Sequence, residues 1–437
     1  MKATKKSLIK CINELNNISY LFTVNPTKDF SRNRKLSFRK VLTSILCMSG
    51  GSLTNEVIDL FENDTNMPSV SAFVQQRSKI LPEAFETLFH MFNTSQKTFP
   101  THKGYRLLSV DGSDIHIPTN KADQDSYYPV TNEGKSYNLL HLNALYDLCN
   151  HTYVDAIVQK SRKINEHQAF TDFVDRFPSN VPTIFIADRG YESYNNMAHI
   201  QEKGLNFLIR IKDSKGMVSG FELPKEDEFD VTIHLFLTRK QTNFTKELFK
   251  QKNIYKFIPH GSKFDFLPPK LSKFKDVEPY ELHFRIVRFK ITDNTFETVV
   301  TNLSEKDFLP QELKKLYAMR WGIETSFRDL KYTVGLLSFH SKKMENIIQE
   351  IFASLIMYNY TEMITSHVII QNANKKYAYQ ANFSVAVHMC KKYILGKISP
   401  PILEAIILRN TVPIRPNRIY PRKMTGKTVP SFCYRVA

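Results

Sequence analysis

The chain has 437 residues, with 60 Lys+Arg against 43 Asp+Glu, a formal net charge of +17 with histidine neutral, and 42% hydrophobic residues. That length is ample for a hydrophobic core across two to three domains, and the composition excludes a wholly disordered, collagenous or low-complexity chain. The charge excess suits a polyanionic partner; a well-solvated surface or an anionic membrane would give the same excess.

Residues 1 to about 40 hold ten Lys/Arg against only Glu14 and Asp29. No apolar segment follows the basic start MKATKKSLIK, so no secretory signal is expected. Four short helical patterns then run to about residue 95: KLSFRKVLTSILCM, LTNEVIDLFEN, SVSAFVQQRSKI and EAFETLFHMF. The third follows Pro68 and carries Ser71, Gln75, Gln76, Arg77 and Lys79, side chains that reach phosphates and base edges. It is read either as a DNA-reading helix, with Arg77 and Lys79 as DNA contacts, or as the polar face of a plain helical bundle.

From residue 105 the period changes to that of strands. YRLLSVD, NLLHLNALYD and TYVDAIVQ are followed by the helical pattern NEHQAFTDFVDRF, the apolar strand TIFIAD, the helix SYNNMAHIQEKG and the strand NFLIRIK. An antiparallel start feeding crossover units predicts a mixed α/β sheet with helices packed on it. Residues 213–300 break the rhythm with charged clusters and the hairpin LHFRIVRFKI–TDN–TFETVVTNL, read as a β-rich insertion. A long helix from about Pro310 to Tyr332 then resumes the core. IIQEIFASLIMYNY is interrupted by Glu350 and falls short of the roughly 20 apolar residues of a membrane span, so a buried helix and no membrane association are expected. From Arg409 onward the chain carries seven Lys/Arg, four prolines and no acid, which predicts an extended basic tail. The boundaries read from this pass are a helical DNA-binding domain at 1–100, a catalytic core at 101–372 and a C-terminal helical segment with basic tail at 373–437.

The five cysteines are scattered and never form a CxxC pair, and none of the thirteen histidines has metal-pair spacing. Neither a disulfide framework nor a zinc site is expected, and a reducing, cytoplasmic compartment is.

Three carboxylates stand out. Asp111 closes the apolar run of LLSVDGSDIHIP, and Asp188 closes TIFIAD before Arg-Gly-Tyr. Acids at strand ends face the crevice where α/β sheets do chemistry, although alone Asp111 could serve a turn and Asp188 a helix cap. The third lies in LYAMRWGIETSFRDLKY, where Tyr317, Arg320, Glu324 and Lys331 are spaced by three, four and seven residues. At about 100° per residue all four fall on one narrow stripe, with Leu316, Ile323 and Leu330 on an adjacent stripe facing the sheet. Arg320 and Glu324 alone would suit a solvated salt bridge, but that leaves Tyr317 and Lys331 unexplained. Carboxylates gathered beside cations suit hard divalent ions, of which two about 3.5–4 Å apart can activate the attacking oxygen and stabilise the leaving oxygen of a phosphodiester. Arg320 and Lys331 would hold the substrate phosphates and Tyr317 would hydrogen-bond the same backbone.

These residues resemble the DDE transposases of bacterial insertion sequences, in the group marked by a Tyr–Arg–Glu–Lys signature (the insertion-sequence-four group). The likeness runs through the helical N-terminus, the DGS strand, the ADRGY strand end, the β-rich insertion and the signature helix. It implies an RNase H-like catalytic core with Asp111, Asp188 and Glu324 as a metal-binding triad, using Mg²⁺ with Mn²⁺ as a substitute. It implies that Tyr317, Arg320 and Lys331 contact DNA near the scissile phosphate. It also implies an enzyme acting on double-stranded DNA, both transposon ends and target, as a homodimer on paired ends in the bacterial nucleoid. A structure-specific nuclease on the same core and a domesticated DNA-binding protein that no longer cuts are the alternatives. Strand alternation turns Asp114 away from Asp111, Glu192 reads as an exposed acid at a helix start, and Trp321, the single tryptophan, reads as a packing residue.

Overall fold

In the computed structural model, the described residues are all except 63–64, 97–98, 130–134, 179, 214–215, 269–277, 372–376 and 415–437. Most of the basic tail lies outside them.

Five helices open the chain: α1 (Lys2–Asn17), α2 (Phe38–Cys47), α3 (Leu53–Leu60), α4 (Val70–Arg77) and α5 (Glu83–Thr94). Ser37, Ser52 and Ser69 cap α2, α3 and α4, each accepting the backbone N–H three residues on and so satisfying a donor the helix leaves free. α1 is rich in lysine, yet Leu8, Cys11, Ile12 and Leu15 repeat at helical spacing and are all buried.

The core sheet is built by β1 (Arg106–Ile117), a short β2 (Tyr127–Tyr128), β3 (Tyr137–Asp147), β4 (Thr152–Lys160), β5 (Thr183–Ala187) and β6 (Asn206–Ile211). Helix α6 (Glu166–Arg176) links β4 to β5, and α7 (Tyr194–Glu202) links β5 to β6. β1 runs antiparallel to β3 and parallel to β5, β3 is antiparallel to β4, and β5 is parallel to β6. Three antiparallel strands followed by two parallel ones fit an RNase H-like core. Asp147 fixes the β3–β4 turn, accepting the N–H groups of Cys149 and Asn150 while its other oxygen takes the Arg106 guanidinium.

The segment read as an insertion is β-rich, and its strands continue the same sheet. β7 (Phe229–Thr238), α8 (Asn243–Leu248), β8 (Tyr255–Phe257), β9 (Tyr280–Thr292) and β10 (Thr295–Thr301) follow, and β10 pairs with β6. Among the described residues the result is one sheet of ten strands in the order β2-β3-β1-β5-β6-β10-β9-β7-β8, with β4 on β3.

The expected long helix is present as α9 (Pro310–Met319) and α10 (Trp321–Arg328), joined through Arg320 in helical conformation, and ends as a π-helical turn at Asp329–Val334. Pro310 starts it, where a missing N–H costs nothing, and Gly335 stops it in the left-handed region. Then come α11 (Met344–Thr365), the short β11 (Tyr379–Ala381), α12 (Phe383–Ile394), α13 (Pro400–Arg409) and β12 (Thr411–Pro413).

Two apolar layers clamp the sheet. On one face, β1 and β3 residues such as Leu107, Ile115 and Leu142 join α1, α2, α5, the signature helix, α11 and α12 in a single buried cluster, so the N-terminal helices share their core with the C-terminal ones. On the other, Leu108, Val110 and Phe185 pack with α6, α7 and the inner face of β7 and β9. The apolar run read as a buried helix is α11, and none of the described helices is long and apolar enough to cross a membrane.

Candidate active site

The register of the sheet brings the two aspartates together. β5 pairs with β1 only as far as Val110 opposite Ala187, so Asp111 and Asp188 are the next residues of adjacent parallel strands at one level. Asp111 lies within a strand that runs on to Ile117 beside β3, so it marks the end of the parallel pairing rather than the end of β1. Its side chain and that of Ser113 share the face covered by the signature helix. Leu316, Ile323 and Leu330 are buried there at 0–1% exposure, each fixing the helix by about 1.5–3 kcal/mol of apolar burial. Gly322 allows close approach, since a Cβ there would meet Leu148 at 3.2 Å.

The stripe of signature residues meets the strand ends. Tyr317 donates its hydroxyl to Asp188 Oδ1 at 3.0 Å. Arg320 donates to Glu324 Oε1 at 2.7 Å and lies 3.8 Å from Asp111 Oδ2, bridging the two acids. Lys331 donates to Ser113 Oγ and to the Asp114 carbonyl, both at 2.7 Å. Arg210 on β6, which carries no sequence signal, reaches within 3.9 Å of Asp188 while paired to Glu297. Thus Asp111, Asp188, Glu324, Tyr317, Arg320 and Lys331 form one cluster, although the expected position of Arg320 changes. It is 3% exposed and spends its guanidinium on carboxylates rather than offering it to solvent.

The electrostatics follow from this crowding. Burial pushes the Asp111 carboxyl up to about 6, Gly112 N–H and Arg320 oppose it, and the charges of Glu324 and Asp188 add to it. Burial also acts on Asp188, but the Arg189 N–H, Arg320, the Tyr317 hydroxyl and Arg210 outweigh it and hold that acid below its ordinary value. Burial lowers Lys331, partly offset by Asp114.

The family model of the transposase DDE domain matches residues 102–360, well over half of the chain and the whole of this cluster. The chain belongs to that transposase family. No curated protein matches it. A cryo-EM structure of a piggyBac transposase synaptic complex with hairpin DNA aligns over 92% of this chain and 84% of its own, at 10% identity and a TM-score of 0.48, too distant to carry detail across. Transposases of this family generally use divalent metal, and the donor set fits such ions: three acids supply hard oxygen ligands, and the Asp111 carboxyl is raised by burial, with smaller contributions from the charges of Glu324 and Asp188. Their oxygens are nevertheless not gathered to ligating distance, because Arg320 stands between Asp111 and Glu324.

Other expected contacts are redistributed. Arg77 is corrected: it is 1% exposed, ion-paired to Glu350 at 2.8 Å and donating to Gln349 and to the Asn346 carbonyl, so it anchors α4 to α11 and is not presented to DNA. Its place in the period is the reason, since with Phe73 it forms the buried face of α4. Lys79 is partly exposed beside Asp29 and lines a basic hollow with Lys28, Arg32, Arg34 and Gln76. Trp321 is also corrected: it is 57% exposed, beside the Arg320 guanidinium, because the buried stripe passes through its neighbours instead. Glu192 accepts the backbone N–H groups of Lys212 and Met217 and so ties down the chain after β6.

Asp114 does face away from Asp111, as strand alternation requires. It meets His141 at 2.8 Å, whose other nitrogen lies 3.1 Å from Glu166. The imidazole covers Gly112 so closely that a Cβ there would fall 2.2 Å from its Nε2. The glycine beside Asp111 is therefore required by packing against β3. An open cavity of about 590 Å³ adjoins Asp188, lined by His167, Tyr194, Lys212 and Lys256 among others.

Proposed function

We propose that this protein is the transposase of a bacterial insertion sequence of the Tyr–Arg–Glu–Lys group. In this reading it binds the terminal inverted repeats of its element, cleaves the ends and joins their 3′-OH groups to target DNA, as a homodimer on paired ends. The observation that carries it is the meeting, within one transposase domain, of the signature helix with the two aspartates that follow the β1–β5 pairing: Tyr317 on Asp188, Arg320 between Asp111 and Glu324, and Lys331 on Ser113.

Asp111, Asp188 and Glu324 would hold Mg²⁺, or Mn²⁺ in its place. Bound there, such ions would activate the attacking oxygen and stabilise the leaving oxygen. Tyr317 holds Asp188 in one orientation through its hydroxyl. Arg320 holds Glu324 and opposes the burial that raises Asp111. Lys331, anchored on β1 by Ser113, sets an ammonium at the rim where a DNA phosphate would pass.

The test is cleavage of terminal-repeat DNA with Mg²⁺ by the wild-type protein and by Asp111→Ala, Asp188→Ala and Glu324→Ala. Each variant should fall to assay background while retaining affinity for end DNA. Substantial cleavage by Asp188→Ala would refute the site assignment. Cleavage without joined products on a target duplex would leave a nuclease in place of a transposase.

A further inference from the structure

His234 on β7 and His283 on β9 are far apart in sequence but directly opposed in the antiparallel register, and Glu281 stands one pleat along β9 on the same face. The two imidazoles face each other with ring centroids 3.9 Å apart. Both place a nitrogen near one oxygen of Glu281: His234 Nε2 lies 3.3 Å from Oε2 and His283 Nε2 lies 3.7 Å from it. One ligand atom from each residue lies within 4.8 Å of the other two.

The platform under this trio is rigid. Ile233, Leu235, Leu282 and Phe284 alternate with it on the inner face and are 0–4% exposed. Gln201 of α7 accepts the N–H of His283 and donates to the Glu281 carbonyl, at 3.0 and 2.8 Å. The three side chains remain 48–57% exposed, open to solvent above the sheet.

A surface ion pair would explain one histidine beside a glutamate, at little gain in stability. It does not call for a second imidazole beside the same carboxylate oxygen. We propose that His234, Glu281 and His283 form a three-ligand site for a transition metal ion of the Zn²⁺ class, separate from the carboxylate cluster. Zn–N and Zn–O bonds of about 2.0–2.2 Å in tetrahedral arrangement place ligand atoms about 3.3–3.5 Å from one another. The two nitrogen–oxygen distances, 3.3 and 3.7 Å, are close to that spacing, and the exposed imidazoles, 3.9 Å apart, would spread to about 5 Å between ring centroids as they take the ion. Imidazole nitrogens select such ions over Mg²⁺, which takes oxygen ligands, so the two sites draw on different metals. The ion would join β7 to β9 across the outer part of the sheet and keep one coordination position open to water or an incoming ligand.

The test uses the full-length protein, stripped with a chelator and titrated with Zn²⁺ in buffer containing Mg²⁺. Wild type should take up Zn²⁺ at this site and show a raised melting temperature. His234→Ala/His283→Ala should lose that equivalent, with affinity at least about a hundredfold weaker and no thermal shift. Glu324→Ala should keep it, which separates this site from the carboxylate cluster and leaves the outcome independent of the proposed DNA chemistry. Co²⁺ in place of Zn²⁺ should give the visible absorption of a four-coordinate ion in wild type and not in the double variant. Because all three side chains are exposed, the metal-free variants should melt with wild type, so a lost site is distinguishable from a lost fold. Equal Zn²⁺ affinity and stoichiometry in wild type and the double variant would overturn the proposal.

Discussion

Arg77 and Arg320 are both arginines of near-complete burial, 1% and 3% exposed, and both grip a glutamate on a helix. Their surroundings differ. Around Arg77 the carboxylate is sealed: Glu350 also takes the His340 backbone N–H and imidazole, and these partners together outweigh burial and hold it below its ordinary value. Around Arg320 the pairing is incomplete: Asp111 lies 3.8 Å from the guanidinium. Asp111 rises to about 6, and the side chains of Asp111, Asp188 and Glu324 keep 25–36% of their surface open. A satisfied buried pair holds parts together; an unsatisfied, half-open one retains capacity for a cation and a substrate.

The sharpest way to break this comparison is to remove each arginine. Arg77→Ala strands Glu350 inside the core and should cost about 3–5 kcal/mol of stability, read as a fall in the denaturation midpoint. An unchanged midpoint would mean that the pair is not structural. Arg320→Ala should leave end-DNA binding and its salt dependence intact while cleavage falls roughly a hundredfold, the scale of losing one preorganised donor. A fall of about one in the salt slope of binding would instead show that its guanidinium neutralises a phosphate.

A smaller effect tests the reverse face of β1. Burial would lower His141, but its bonds to Asp114 and Glu166 prevail and raise it to about 9. A folded value above the ordinary 6.5 means that the stabilisation is complete below about pH 6.5 and is lost as pH rises through 9. His141→Gln should therefore cost on the order of 1–2 kcal/mol at pH 6, discounted for the exposure of both carboxylates, and little at pH 10. A loss independent of pH would assign the effect to packing over Gly112. The smallest expected change is Lys79→Ala, with stability altered by less than about 0.5 kcal/mol and the salt slope on DNA reduced by about one. No change in slope would remove the basic hollow from the DNA path.

Most of the core elements were legible because their periods are strong. The strand–helix order from Arg106 to Ile211 and the β9–β10 hairpin follow from alternation and turn chemistry. The buried stripe of Leu316, Ile323 and Leu330 follows from 3.6-residue spacing alone. The first helix was legible too, in Leu8, Cys11, Ile12 and Leu15, but its lysines masked the pattern. Residue type was the poorer guide. Charge offered Arg77 as a DNA contact although the residue faces the core, and apolar character suggested packing for Trp321 although it faces solvent.

By itself, then, the sequence determined which residues could share a strand end or a helix stripe, since those relations are set by chain geometry over a few residues. It placed Asp111, Asp188 and the Tyr317–Lys331 stripe as candidates without saying how they meet. Only the tertiary structure decided that β5 stops one residue short of Asp111, that Arg320 lies between two acids, and that Arg210 approaches Asp188. Histidine spacing along the chain gave no metal site, yet strand register sets His234 beside Glu281 and His283. Contacts of this kind join residues tens to hundreds of positions apart, and they depend on sheet order and register, which local periodicity does not encode.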